Sequence, residues 1–268
     1  MTKLKVAPGP FRVDQLRSGD PYELSDGHPI RCAPTGREGS DANLTGGLVI
    51  GTDPLVKRAG VDTGIAVSKK TLRAPDIAVN FEGESGSWAT RAPLVVEYAD
   101  RGQDEAELRA KIIELHSAGT RWVWVVRLVG PRRVEVHEVG QPMKTVGPGE
   151  VLRAPGVLQN AVSVEAMYDR EAAREAALQN LLQRAGYASL DAVREEGREE
   201  GREEGRDEGA LRALASSVLR VLARRGVEVD DATRERVEGC RERATLEAWL
   251  DRAVTAESAA EVFAEGEG

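Results

Sequence analysis

Two cysteines and three histidines are all that 268 residues offer to thiol and imidazole chemistry. Cys32 and Cys240 cannot build a disulfide framework. Neither they nor His28, His116 and His137 fall at zinc-ligand spacing. A reducing cytoplasm is therefore the expected compartment. No apolar run reaches the length of a membrane-spanning helix, so no membrane partner is expected. The opening Met1-Thr-Lys-Leu-Lys runs into Pro8 and Gly9 without an apolar core, and no secretory leader is expected. Gly46-Gly-Leu-Val-Ile-Gly51 lacks the lysine and hydroxyl of a phosphate-binding loop. No Gly-x-Ser-x-Gly nucleophile elbow occurs.

Lysine disappears after Lys144 and proline after Pro155, and charge changes with them. Residues 1–168 carry 21 basic and 21 acidic side chains, whereas residues 169–268 hold the whole net charge of −8. The composition shift predicts an α/β domain over 1–168, a charged helical linker over 169–209 and a small helical unit over 210–268. A neutral first domain argues against strong nonspecific DNA binding, which comes mainly from neutralised phosphates.

Within the first domain, Phe11 to Ser18 reads as a short helix. Tyr22-Glu-Leu-Ser and His28-Pro-Ile-Arg read as strands joined at Asp26-Gly27, a hairpin turn signal. The Gly-rich stretch from Ser40 to Val56 reads as helix, weakened by Gly46, Gly47 and Gly51. Strands are expected from Asp62, Asp76 and Pro93. A helix from Asp104 to His116 follows, with Leu108, Ile112 and Leu115 on one face. Gly119 ends it, and two strands follow from Trp122 and Arg133. The order fits a mixed sheet flanked by helices. Trp122 and Trp124 alternate with valines and share one sheet face, as core residues would.

Glu97 interrupts the apolar run Leu94-Val-Val, where an unpaired carboxylate would be costly to bury. Asp76 opens the strand before it, and Lys111 lies in the helix after it. Two acids on adjacent strand ends can hold a hard divalent cation. Such an ion activates water and stabilises charge on phosphate.

Pro75-Asp76, Leu94-Val-Val-Glu97, Lys111 and Gly119-Thr-Arg-Trp122-Val-Trp-Val-Val, in that order, resemble the Uma-type family of predicted endonucleases. That family lies within the restriction-endonuclease-like PD-(D/E)XK superfamily. Tyr22-Glu23-Leu-Ser-Asp-Gly27 and Asp62-Thr-Gly-Ile match its earlier strands, so the resemblance spans roughly 11–168. It implies an α+β restriction-endonuclease-like core with a C-terminal helical tail. It implies Asp76 and Glu97 as ligands of Mg²⁺ or Mn²⁺, Glu23 as an accessory acid, and DNA as substrate. The superfamily's lysine usually follows the second acid by two residues. Ala99 stands there, and Lys111 takes the lysine's place in the next helix. A histidine often found near the start of the family's second helix has no counterpart in Asp41-Ala-Asn43-Leu. The alternative reading is a nuclease-fold protein without activity, acting as an oligomeric binding module.

Four repeats open the tail at Arg194, Arg198, Arg202 and Arg206, each Arg-Glu/Asp-Glu-Gly. Their i,i+3 pairs contribute about 0.2–0.5 kcal/mol each. Each glycine costs about 1 kcal/mol against alanine. A helix here is therefore marginal alone, and its glycine stripe would let another helix approach. Leu211, Leu214, Val218 and Val221 form a short heptad-like seam. Homo-oligomerisation through these helices is expected. The tail also resembles the C-terminal regions of transposase-like members of the superfamily, where a charged, Gly-containing helix leads to a small helical unit.

Overall fold

A computed structural model of the chain describes residues 9–264, so Met1–Pro8, on which the leader expectation rests, lies outside the described residues. The chain divides into two compact units, Met1–Ser189 and Leu190–Gly268. No described helix is long and apolar enough to cross a membrane.

A single 3-10 turn, Val13–Gln15, replaces the short helix expected over 11–18. The hairpin of β1 (Tyr22–Ser25) and β2 (His28–Arg31) closes through Asp26 and Gly27. Both sit at positive φ, 44° and 81°, as a two-residue type I′ turn requires. Helix α1 (Arg37–Thr52) forms despite its glycines, because burial of Ala42, Val49 and Ile50 supplies what propensity does not. Strands β3 (Ala59–Val61), β4 (Ile65–Ser68), β5 (Thr71–Arg73) and β6 (Ile77–Val79) are short. They lead to β7 (Leu94–Ala99), helix α2 (Glu105–Ser117) and β8 (Trp122–Arg127). Then come β9 (Arg133–Glu138), β10 (Lys144–Val146), β11 (Val151–Leu152), β12 (Val162–Ser163) and helix α3 (Arg170–Arg184).

A six-stranded mixed sheet runs β10-β9-β8-β7-β6-β3, and β1, β2, β4 and β5 form a second sheet in the order β2-β1-β5-β4. Only β7 and β8 pair in parallel within the larger sheet, and α2 is their crossover, as a parallel pair requires. All six residues of β7 are buried, as expected of a strand covered on both faces. Leu94, Val96 and Tyr98 join Trp122, Trp124 and Val126 in the core shared with α1. Val95 and Ala99 join Val123 and Val125 against Leu108, Ile112 and Leu115 of α2. By the same alternation Glu97 belongs to the α2 side.

The first unit extends past the boundary expected at Tyr168, because α3 is fastened to α1. Asn180 Nδ2 donates to Val49 O at 3.0 Å and Thr52 Oγ1 at 3.2 Å. Arg184 donates to Thr52 O at 2.9 Å and Asp53 O at 2.6 Å, satisfying carbonyls at the end of α1. Asp53 in turn accepts from the backbone of Gln159 and Asn160, both at 2.9 Å. The expected linker over 169–209 is accordingly divided between α3 and the start of α4.

The second unit opens with α4 (Leu190–Arg225), one helix that contains all four repeats. Helices α5 (Asp231–Gly239), α6 (Arg243–Ala253) and α7 (Ala259–Val262) fold back on its C-terminal half. The Asp230 side chain caps α5 by accepting from Thr233 N at 2.7 Å. Val218 of the heptad-like seam is fully buried among Leu222, Val237, Leu246 and Trp249, and Leu211, Leu214 and Val221 pack against them. The seam thus serves this unit's own core.

Candidate active site

Antiparallel pairing of β6 with β7 sets Ile77 opposite Val96. One residue further along the same register, Asp76 stands opposite Glu97, a neighbour relation that brings side chains close. Tyr98 N donates to Asp76 Oδ2 at 2.6 Å, which fixes that carboxylate. The Tyr98 hydroxyl on the other face donates to Met167 O at 2.9 Å. It fits there only because residue 46 is glycine: a Cβ on Gly46 would lie 2.0 Å from that hydroxyl.

Pairing of β1 with β5 sets Leu24 opposite Leu72, so Glu23 falls beside Arg73. Arg73 is 0% exposed. Its guanidinium meets Glu23 Oε2 at 3.1 Å and Glu107 Oε1 at 2.5 Å, and it also pairs with Glu114. Ser25 Oγ donates to the other Glu114 oxygen at 2.6 Å. Glu107, Lys111 and Glu114 stand at i, i+4 and i+7, one face of α2 beside its apolar stripe.

Lys111 completes the cluster. Its Nζ donates to Glu23 Oε1 at 3.0 Å and Ala74 O at 2.8 Å, and lies 2.8 Å from Glu97 Oε1. Glu97 Oε1 is buried and receives no aligned hydrogen bond. Burial is the main cause that pushes the Glu97 carboxyl up to about 8, with Asp76 and Glu23 adding to it against Lys111. Burial also raises Asp76, opposed by the Tyr98 N–H and Lys111. Burial works against the Lys111 ammonium, but Glu97 and Glu23 outweigh it and hold it above its ordinary range. Glu23 already has Arg73 as a second cation. One ammonium is thus shared among Glu97, Glu23 and Asp76.

All four residues singled out in the sequence thus meet here: Glu23, Glu97 and Lys111 by contact, Asp76 by register and by its electrostatic coupling to the other three. Arg73, Glu107 and Glu114 escaped sequence reasoning. The signal for the last two was their spacing around Lys111. Among the described residues no three His, Cys, Asp or Glu side chains cluster as a metal site by themselves. The donors present still suit a hard cation: the buried Glu97, with an oxygen that lacks an aligned donor, and the half-buried Asp76. Mg²⁺ commonly takes one or two carboxylates and keeps waters.

No curated protein matches the chain. A crystal structure described as "a putative nuclease belonging to DUF820" from Anabaena variabilis ATCC 29413 is similar in fold, with a TM-score of 0.52. It is 18% identical, and the match covers 60% of this chain and 99% of that one. A family model described as "Putative restriction endonuclease" matches residues 11–166, more than half of the chain. The mixed sheet, the paired carboxylates and this match agree: the chain belongs to the Uma2 family of restriction-endonuclease-like proteins.

Proposed function

We propose that the chain is a divalent-metal-dependent DNA endonuclease that hydrolyses phosphodiester bonds. The observation that carries this reading is the meeting of Glu23, Glu97 and Lys111 in one buried cluster beside Asp76. Asp76 and Glu97 would hold Mg²⁺ or Mn²⁺. A bound ion supplies Lewis acidity and lowers the pKa of a coordinated water.

The chain's own groups do the rest. The Tyr98 N–H orients Asp76, and Glu97 with Asp76 would hold the cation. Lys111, held beside these acids, would donate toward a phosphate oxygen or hold the attacking water. Glu23, anchored by Arg73, keeps the Lys111 ammonium in place.

Cleavage of supercoiled and single-stranded DNA with Mg²⁺ or Mn²⁺ tests this, comparing the native chain with Asp76→Ala and Lys111→Ala. Loss of cleavage in both variants is expected. Equal cleavage in all three marks a contaminant. Absence of cleavage and of Mn²⁺ binding in the folded native protein defeats the proposal.

A second reading has its own support. Ala99 occupies the superfamily's usual lysine position, and Lys111 is already engaged by Glu23, Glu97 and Ala74. In that reading the chain is an inactive, homo-oligomeric binding module that works through its C-terminal helices.

A further inference from the structure

The second unit carries a cavity of about 770 Å³ between α4 and α5. Its floor is apolar: Ala215, Leu219 and Ala223 of α4, with Val227 and Val229 beyond the helix end. Its walls are cationic. Arg212 and Arg220 stand on the α4 side, Arg234 and Arg241 on the α5 side, and Glu238 is the one carboxylate. Arg220 donates to Ser217 Oγ at 3.2 Å and Arg241 to the Glu238 carbonyl at 3.3 Å. Among the described residues neither they nor Arg234 pairs with a carboxylate; Arg212 alone does, with Glu208 at 2.9 Å.

The complementary surface lies at the other end of the same helix. Residues 194–209 carry eight acids against four arginines. Arg198 and Arg202 both turn to Glu195, and Glu199, Glu200, Glu203 and Glu204 are exposed without an ion pair among the described residues. Nothing lies within 4 Å of where a Cβ would stand on Gly197, Gly201 or Gly205.

We infer that the groove receives the acidic, glycine-lined half of α4 from a second copy of this chain. The inference rests on the reading of the C-terminal helices as a self-association element, and it names the surface. The heptad-like seam is consumed inside the unit, and the groove presents the edge of that core, where Leu219 is half-buried and Ala223 exposed. An antiparallel, two-fold arrangement fills both grooves at once, the self-complementary interface of a C2 dimer. With the axis at Ala210, Gly201 and Gly197 of one copy meet Leu219 and Ala223 of the other, and Gly205 passes over the buried Ala215. The same register sets Glu200 opposite Arg220, and Glu208 opposite the partner copy's Arg212 as well as its own. The apolar floor favours a helix over a phosphate backbone, which would leave that floor uncovered.

Sedimentation of the full chain tests this without any use of cleavage. The native chain is expected to dimerise, more weakly as salt rises. Arg220→Glu and Glu200→Arg are each expected to weaken dimerisation about tenfold, and the combined swap to restore most of it. In a Cys32→Ser, Cys240→Ser background, Gly201→Cys with Leu219→Cys should yield a disulfide-linked dimer on oxidation. A dimer indifferent to both charge reversals, and not cross-linked, overturns the groove while leaving self-association standing. A native chain that stays monomeric overturns both. Salt-sensitive DNA binding by a native chain that stays monomeric, lost in Arg220→Glu, would assign the groove to a nucleic acid instead.

Discussion

Lys111 Nζ lies 3.0 Å from Glu23 Oε1, a contact that joins α2 to the first hairpin across 88 residues. The amine therefore reaches the acids from a helix, not from the strand that carries Glu97. Position 99 in β7 packs as Ala99 in the apolar layer beneath α2.

The raised Glu97 carboxyl makes stability fall with rising pH. Its ordinary value is 4.5 and its value here about 8. The folded state binds this proton more tightly, so the contribution is complete below 4.5 and is lost as pH rises through about 8. Urea unfolding at both ends of that window should show the native chain losing stability relative to Glu97→Gln. A constant difference between the two proteins would contradict the assignment.

Arg73→Met should destabilise the first unit by about 3 kcal/mol, the lower end for breaking a buried ion pair. The lower end applies because Glu107 and Glu114 are partly exposed and can turn toward water, whereas Glu23 cannot. Arg73→Lys keeps the charge but not the fork that serves three carboxylates, and should fall between. Denaturant midpoints decide the order.

Gly46→Ala places a methyl group on the Tyr98 hydroxyl and should cost about 1–3 kcal/mol by overpacking. Tyr98→Phe removes only the bond to Met167 O and should cost about 1 kcal/mol. The double variant should be less harmful than the sum, since the clash is with the hydroxyl. Thermal unfolding of the three proteins checks this, and strict additivity would rule the contact out.

A chain ended after Ser189 should fold as a unit, whereas one ended after Tyr168 should not. The shorter chain exposes the end of α1 and strips Val49 O and Thr52 O of the donors from Asn180 and Arg184. Limited proteolysis and circular dichroism distinguish the two.

Much of this was legible in the sequence because it rests on local chemistry. Asp26-Gly27 announces its turn, Asp104 its helix start, and Glu97 its anomaly within an apolar strand. Helix α1 was blurred because its glycines lower propensity while tertiary burial restores the helix. The true end of the first unit was hidden, since α3 shares its Ala-Arg-Glu composition with the tail and differs mainly in what Asn180 and Arg184 reach. Arg73 was hidden too. Its importance lies in side chains contributed by residues 23, 107 and 114, and no window along the chain holds them together.

The parallel pairing of β7 with β8 also has a consequence for folding order. The site draws on residues 23, 73, 76, 97 and 111, and the strand that anchors Glu97 is not enclosed until the crossover helix has delivered its partner. Non-local pairing of this kind forms slowly. The site therefore exists only once residues 23 to 111 have been brought together, and local structure alone assembles none of it. Recovery of a proton-linked signal from Glu97 would time the assembly of this cluster.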